Sequence, residues 1–233
     1  MKVLRVVTLL WLVVSLSNVA YAEAIDFNRL YGLRDKKELE EIIRDASDAI
    51  KENPSDKDNL KVLGIAYHNL GILEVKGAPT KGVEYLEKAY QLSPDDYEIL
   101  AYLGSAKTMV ARDSWNVITK VSQVNKGANM MDKAVRKAPE NIAVRMVRAN
   151  NSLALPKFFN RRHLARRDFL AIERLIGKDA SSIDSDTKAE VFYQLGMIYK
   201  DEKDNSKAII YFKKAVTAGP DSKWAMRARE ELR

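Results

Sequence analysis

The sequence predicts an all-α fold in which antiparallel helix pairs stack into an array. Apolar residues recur at intervals of three and four, as on one face of a helix, and no segment shows the alternation typical of a strand. Glycine or alanine occupies the middle of the predicted helices, and prolines follow their ends. The chain has 233 residues, of which 46% are apolar, which is enough for one continuous core.

The clearest helix pair spans residues 189–220. Gly196 removes a side chain from the middle of its first helix so that the second helix can approach, and Pro220 after Gly219 ends the second helix. The signature residues are Phe192, Leu195, Gly196, Tyr199, Ala208, Phe212, Ala215 and Pro220. Their spacing resembles the 34-residue repeat of the tetratricopeptide-repeat (TPR) family. The resemblance implies an α-solenoid, the TPR superhelix, whose members hold other proteins or peptides.

Degenerate copies of this repeat precede it. Residues 57–94 contain Gly64 and Gly82, residues 97–139 contain Gly104 and Gly127, and residues 142–177 contain Ala149 and Ala165 at the two small-residue positions. Residues 23–56 hold an N-terminal segment and a half-repeat. The four repeats are therefore expected at residues 57–94, 97–139, 142–177 and 189–220. Residues 221–233 should form a capping helix with Trp224, Ala225, Ala228 and Leu232 on its packed face.

The first three repeats are lengthened at their hairpin turns. The two small-residue positions lie closest together in the last repeat, at Gly196 and Ala208, with the separation that the family expects. The corresponding separation is longer in each of the first three repeats, and it is longest in the second. Either the insertions gather on one edge of the solenoid or the helices simply run longer there.

The N-terminus resembles a secretory signal peptide over residues 1–22. Lys2 and Arg5 precede the apolar run at residues 6–16, and Ala20-Tyr21-Ala22 forms the small-residue site after which cleavage is expected. The junction has no cysteine, so we do not expect a lipoprotein, and the chain has no cysteine that could form a disulfide. An exported, disulfide-free repeat protein best fits a bacterial periplasm.

The sequence gives no support for an enzyme. It has two histidines, His68 and His163, no cysteine, and no metal-ligand or phosphate-binding motif, so no catalytic, metal or cofactor residue is assigned. The carboxylates at residues 95–96 and at Asp184 and Asp186 are interpreted as helix-start caps.

Positive charge is concentrated in the third repeat. Twelve basic residues lie between Lys133 and Lys178, opposed only by Glu140, Asp168 and Glu173. Such a stretch is either a solvated face or a surface for an acidic partner or an anionic envelope surface, and nucleic acid ranks last. A basic and aromatic patch is predicted at Lys157, Phe158, Phe159, Arg161, Arg162, Arg166 and Arg167. Trp115, in the second insertion, is a candidate partner anchor.

The family resemblance implies that the first helices of the repeats line a concave groove. Carried onto this sequence, the groove residues are Lys61, Ile65, His68, Asn69, Tyr102, Ser105, Met109, Met146, Asn150, Tyr193, Gln194, Met197 and Lys200. The resemblance also implies that asparagine and lysine clamp a peptide backbone or carboxylate, a role open to Asn69, Asn150 and Lys200. The competing interpretation is that neighbouring helices bury these residues.

Two functions are favoured at this point, ahead of an envelope enzyme whose site would need a cluster of carboxylates that is not visible in the sequence. The first is an exported TPR scaffold or adaptor that binds a protein or peptide partner of the cell envelope through its groove and basic patch. The second is a small-ligand or lipid-binding accessory protein of an envelope transport system, which requires an enclosed apolar pocket under the insertions. The partner and the oligomeric state are not encoded in any motif of the sequence.

Overall fold

A computed structural model describes residues 27–112, 117–181 and 183–233. Over these residues the secondary structure is helical, which confirms the predicted fold class. The helices are α1 (Phe27–Gly32), α2 (Lys36–Glu52), α3 (Lys57–Ile72), α4 (Ala78–Leu92), α5 (Tyr97–Arg112), α6 (Val117–Lys137), α7 (Ile142–Ala154), α8 (Arg162–Lys178), α9 (Ser185–Asp201), α10 (Asn205–Ala218) and α11 (Lys223–Glu231), with a short 3₁₀ helix at Lys157–Phe159. The predicted signal peptide and Trp115 lie outside the described residues.

Antiparallel pairs make up the array. Helix α3 packs on α4, α5 on α6, α7 on α8 and α9 on α10, while α2 packs on α3 from the N-terminal side. The first helices of the pairs lie side by side, α3 against α5 and α5 against α7, and they form what we call the inner surface. Helix α11 packs on both α9 and α10, as a capping helix does.

Small residues set the distance between paired helices. A Cβ placed on Gly104 would lie 2.5 Å from the Gly127 carbonyl oxygen, so the backbones of α5 and α6 touch at these two glycines. At Gly196 a Cβ would lie 2.5 Å from the ring of Phe212, which fills the space that the glycine leaves open. The small residues in the middle of the helices therefore allow two kinds of contact: backbone against backbone in the second repeat, and backbone against an aromatic ring in the last repeat.

Side-chain caps fix where several helices begin. Asp184 accepts a hydrogen bond from the Thr187 backbone N–H at 2.8 Å, and Asp96 accepts one from Ile99 at 3.1 Å. Both carboxylates were interpreted from the sequence as helix-start caps, and the structure confirms this.

The lengthened hairpins have different causes in the three repeats. In the first repeat residues 73–77 separate α3 from α4, against residues 202–204 in the last repeat, and α3 also runs further past its glycine. In the second repeat α6 begins at Val117, well before Gly127, so most of the insertion is helix. In the third repeat α7 ends at Ala154 and the extra residues lie in the connection that holds the 3₁₀ helix. No described helix is long and apolar enough to cross a membrane.

Candidate functional site: the inner surface of the array

Helix α1 covers the inner surface of α3 and α5. The Leu30 side chain is 2% exposed and belongs to the same apolar cluster as Ile65. The Leu30 carbonyl oxygen accepts a hydrogen bond from the Asn69 Nδ2 atom at 2.7 Å. The Tyr31 ring stacks on Tyr102, with ring centroids 5.7 Å apart, and its hydroxyl donates to Glu98. Asn69 therefore donates a hydrogen bond to the backbone of the chain's own N-terminal segment.

The position of α1 is not that of a missing first helix of a repeat. Such a helix would pair with α2, whereas α1 packs on α3 and reaches α5 through Tyr31. Phe27, at the start of α1, lies under the Lys61 ammonium group, which is 4.8 Å from the ring centroid. The segment thus lies across the inner surface, on the side where the family resemblance places a ligand.

Glu98 is the polar anchor for this segment. Its carboxylate accepts hydrogen bonds from Lys61 Nζ at 2.7 Å, from Asn141 Nδ2 at 2.7 Å and from the Tyr31 hydroxyl. Burial raises the pKa of Glu98, but these hydrogen bonds outweigh burial and hold the pKa below its ordinary value. Burial and the Glu98 hydrogen bond raise the pKa of Tyr31, so its hydroxyl remains a donor.

A buried polar network lies on α3, α5 and α7 beneath the inner surface. The His68 Nε2 atom is 2.9 Å from Ser105 Oγ, and Asn151 Nδ2 donates to Ser105 Oγ at 3.2 Å and to Thr108 Oγ1 at 2.6 Å. Burial lowers the pKa of His68 to about 3, assisted by the nearby Arg34 guanidinium, so the imidazole is neutral at pH 7. The network links three successive repeats.

Burial corrects the prediction for half of the groove. Six residues expected to face a partner are at most 8% exposed: Lys61, Ile65, His68, Asn69, Tyr102 and Ser105. They were expected on an open surface because the family resemblance places them there, and α1 was not foreseen as a cover. In the structure these six residues contact other residues of the chain.

The middle of the inner surface is more open. Met146, Asn150 and Gln194 are half-buried, and Asn150 Nδ2 donates to Glu190 Oε1 at 2.9 Å. Burial raises the pKa of Glu190, while the Arg34 guanidinium and the Asn150 hydrogen bond oppose that rise. Asn150 is therefore engaged with a carboxylate of the chain. Met109 is also half-buried, and its sulfur would lie 3.1 Å from a Cβ on Gly71, so it packs against α3.

The C-terminal end of the inner surface is covered by α11. The Tyr193 ring lies 5.5 Å from Trp224 and 5.9 Å from Phe212, and Met197 packs on the same apolar cluster. Lys200 pairs with Glu231 of α11, so its ammonium group is engaged within the chain. Tyr193, Met197 and Lys200 were predicted as groove residues, and in the structure they hold the cap.

Several arginines of the basic stretch form ion pairs, three of them with acids from outside the stretch. Arg148 makes a bidentate contact with Asp168, which is fully buried, at 2.7 Å to each oxygen. Outside the stretch, acidic residues pair with the predicted patch: Arg161 with Asp132 at 2.7 Å, Arg162 with Asp201 at 2.5 Å and Arg166 with Glu202 at 2.6 Å. The prediction of a strongly cationic patch at these three arginines is therefore corrected.

What remains of the patch is small. Phe158 is 73% exposed and contacts the half-buried Phe159 in a tilted arrangement with centroids 4.4 Å apart, beside the exposed Lys157. Arg167 is exposed on α8 and has no ion pair among the described residues. Within the described ranges no three histidine or acidic side chains are grouped so that they could hold a metal ion.

Sequence reasoning missed α1 and Glu98. The signal for α1 was present, since Phe27, Leu30 and Tyr31 have the spacing of one helix face. The role of Glu98 could not be predicted from the sequence, because its three hydrogen-bond donors are distant along the chain. They come from α1, α3 and the residue before α7.

Comparison with known proteins agrees with this architecture. Residues 189–222 match the tetratricopeptide-repeat family. Among solved structures, TTC0263, a thermophilic TPR protein of Thermus thermophilus, has a TM-score of 0.63 at 16% identity, covering 82% of this chain and 88% of that one. MamA has a TM-score of 0.49 at 18% identity, covering 76% and 85%. YrrB, a TPR protein described as having an unusual peptide-binding site, has a TM-score of 0.44 at 19% identity, covering 83% and 84%.

No curated protein matches the chain. The paired helices, the small residues between them and the match at the last repeat lead to one conclusion. Residues 189–222 form a tetratricopeptide repeat, and the described residues have the fold of a TPR α-solenoid.

Proposed function

We propose that this chain is an exported scaffold that binds a protein or peptide of the bacterial cell envelope along its inner surface. TPR arrays are scaffolds for protein–protein interaction, and the envelope is inferred from the signal peptide expected at residues 1–22. The observation that carries the proposal is the hydrogen bond from Asn69 to the Leu30 carbonyl oxygen at 2.7 Å. The inner surface already holds a polypeptide segment by its backbone.

The open middle of the inner surface extends this site. Met146 and Gln194 are half-buried on neighbouring first helices, between the part covered by α1 and the part covered by α11. Methionine adapts its shape to an apolar side chain, and the Gln194 amide can both donate and accept hydrogen bonds. A partner segment that binds here contacts α7 and α9 together.

Affinity capture with a matched control tests the proposal. The chain without residues 1–22 is immobilised and exposed to an envelope extract, as wild type and as Met146→Ala/Gln194→Ala. The control is Ile210→Ala/Lys213→Ala, which changes exposed residues of α10. We expect one protein to be recovered at least about tenfold less by the inner-surface variant than by wild type, while the control recovers it as wild type does. Truncation of central interface residues commonly has an effect of this size. Equal recovery of every protein by all three would reject the inner surface as the site.

Export is tested separately by the mass of the protein recovered from the periplasmic fraction. Cleavage after Ala22 predicts a chain that begins at Glu23. A full-length chain confined to the cytoplasm would reject the export part of the proposal and leave the inner surface unaffected.

The alternative function, binding of a small ligand or lipid, requires an enclosed apolar pocket at the lengthened hairpins. Among the described residues, an apolar depression of about 490 Å³ lies between α9 and α10, lined by Phe192, Ile210, Lys213, Lys214, Thr217 and Ala218. It is open to solvent and belongs to the repeat without an insertion, so it does not favour this alternative.

A further inference from the structure

We propose that α1 is a built-in occupant of the peptide site and that the partner presents a short helix with the same chemistry. This inference rests on the proposed function and names the class of partner. The partner helix carries an aromatic residue, a leucine, a tyrosine and a cationic residue at positions i, i+3, i+4 and i+7. Binding of that helix displaces α1 from α3 and α5.

The chain's own segment supplies this pattern. Phe27, Leu30, Tyr31 and Arg34 have the i, i+3, i+4, i+7 spacing. Phe27 contacts the Lys61 ammonium group, Leu30 fills the apolar cluster, and Tyr31 stacks on Tyr102 while donating to Glu98. Each of the first three residues therefore has its own subsite on α3 or α5.

Arg34 extends the pattern beyond the end of α1. Its guanidinium donates to the Tyr31 carbonyl oxygen at 3.4 Å. It also donates to the Leu33 carbonyl oxygen at 2.7 Å. These bonds hold the cationic group at the end of the segment, so position i+7 belongs to the pattern.

The contacts of α1 are of a kind that another segment can replace. Helix α1 has six residues, too few for a helix that is stable by itself. It is held through side chains and one backbone carbonyl, and its residues enter no helix pair with α2. Residues 33–35 connect it directly to α2, so a displaced α1 stays tethered near its site.

The short connection between α1 and α2 determines how strongly α1 competes with a separate peptide for the site. A segment linked by a short connection competes at an effective concentration in the millimolar range, so a separate peptide with the same contacts binds weakly while α1 is in place. A partner must therefore make additional contacts, and the open middle of the inner surface, at Met146 and Gln194, provides them. Weakening α1 should uncover the site and increase the affinity for a peptide in trans.

The test measures binding of a labelled peptide to the whole mature chain. The probe is a fluorescent peptide of residues 27–35 with blocked ends, titrated into wild type, Leu30→Ala/Tyr31→Ala and the control Lys37→Ala, which changes an exposed residue of α2. We expect the double variant to bind at least about tenfold more tightly than wild type or control. A control peptide with alanine in place of Leu30 and Tyr31 should not bind to wild type, to the double variant or to the Lys37→Ala control.

Two further measurements keep the inference falsifiable. If the double variant loses helical circular dichroism, Tyr31→Ala alone is used, since it keeps Leu30 buried, and a gain of about threefold is expected. Equal binding by wild type and variant, or no binding at all, overturns the inference and makes α1 a fixed part of the fold. A dimer of the double variant without peptide also overturns it, because copies of the chain would then be exchanging segments.

Failure here is distinguishable from failure of the proposed function. If an envelope protein is captured through Met146 and Gln194 but the peptide does not bind, the scaffold role stands and the occupant role of α1 falls. If the peptide binds and no capture depends on the inner surface, the occupant role stands alone.

Discussion

The two ends of the inner surface are covered in different ways. At the N-terminal end α1 is held by polar and aromatic contacts, among them Asn69 to the Leu30 carbonyl and Tyr31 to Glu98. At the C-terminal end α11 buries Ala225 and Ala228 completely and packs Trp224 on Tyr193. The C-terminal cover is thus mainly apolar, whereas the N-terminal cover combines the buried Leu30 side chain with hydrogen bonds that a segment of another chain can also make.

The largest expected effect lies in the repeat next to the cap. Phe212→Ala should lower the free energy of unfolding by about 3–5 kcal/mol, because it opens a cavity opposite Gly196 that no neighbouring side chain can fill. Urea denaturation measures the change. Ile210→Ala, on the same helix and 52% exposed, should cost less than about 0.5 kcal/mol. A loss below about 1 kcal/mol for Phe212→Ala would show that the C-terminal end is not the rigid end.

The second prediction tests whether α11 and α1, which cover the two ends of the inner surface, act independently. Trp224→Ala should cost about 2–3 kcal/mol, less than a full core deletion because the ring is half-buried. Binding of the residue 27–35 peptide should remain as in wild type, since α11 packs on α9 and α10 and the peptide site lies on α3 and α5. Met226→Ala, exposed on the same helix, is the matched control. A gain in peptide binding by Trp224→Ala would couple the two ends and contradict the comparison.

Acid should weaken the N-terminal end through His68. The folded protein binds a proton at His68 only near pH 3, whereas the unfolded chain does so near pH 6.5. The unfolded state therefore holds more protons between these values, so the stabilisation is complete above pH 6.5 and is lost as the pH falls. The expected loss is about 1.6 kcal/mol between pH 6.5 and pH 5, and the slope approaches about 1.4 kcal/mol per pH unit at the acidic end.

Denaturation curves at several pH values check this contribution. His68→Gln should remove the slope between pH 5 and 6.5, while His163→Gln should keep it because His163 is exposed. A slope that survives in His68→Gln would assign the pH dependence to other groups.

The smallest effect concerns one hydroxyl of α1. Tyr31→Phe keeps the stack on Tyr102 and removes the hydrogen bond to Glu98, at an expected cost of about 1 kcal/mol. Tyr85→Phe is the control, because the Tyr85 ring stacks on Tyr67 and its hydroxyl has no hydrogen bond within the described ranges. Thermal midpoints that coincide for the two variants would mean that the hydroxyl contributes nothing to holding α1.

The last repeat could be predicted from sequence because its contacts are local. Gly196 and Phe212 lie in one helix pair, and the spacing of the family fixes their meeting. The inner surface could not be predicted in the same way, because its burial depends on Tyr31 meeting Tyr102, which lies two repeats further along the chain. Helical spacing marks Phe27, Leu30 and Tyr31 as one face but does not say which helices that face contacts.

The prediction of a cationic patch in the basic stretch was wrong for a related reason. Counting charge along the chain includes only acids that are near in sequence, whereas Arg162 pairs with Asp201 on the following first helix. In a solenoid each repeat faces the next one, so the relevant neighbours are a repeat length away. The buried Arg148–Asp168 pair, in contrast, lies within one helix pair.

The contact between Gly104 and Gly127 has a consequence for how related sequences can vary. At Gly196 an added methyl group could be accommodated if Phe212 became smaller, so these two positions are free to change together. At Gly104 the obstacle is the carbonyl oxygen of Gly127, which no substitution can shrink. Among descendants of this chain, positions 196 and 212 should covary, whereas 104 and 127 should both stay glycine for as long as α5 and α6 remain paired.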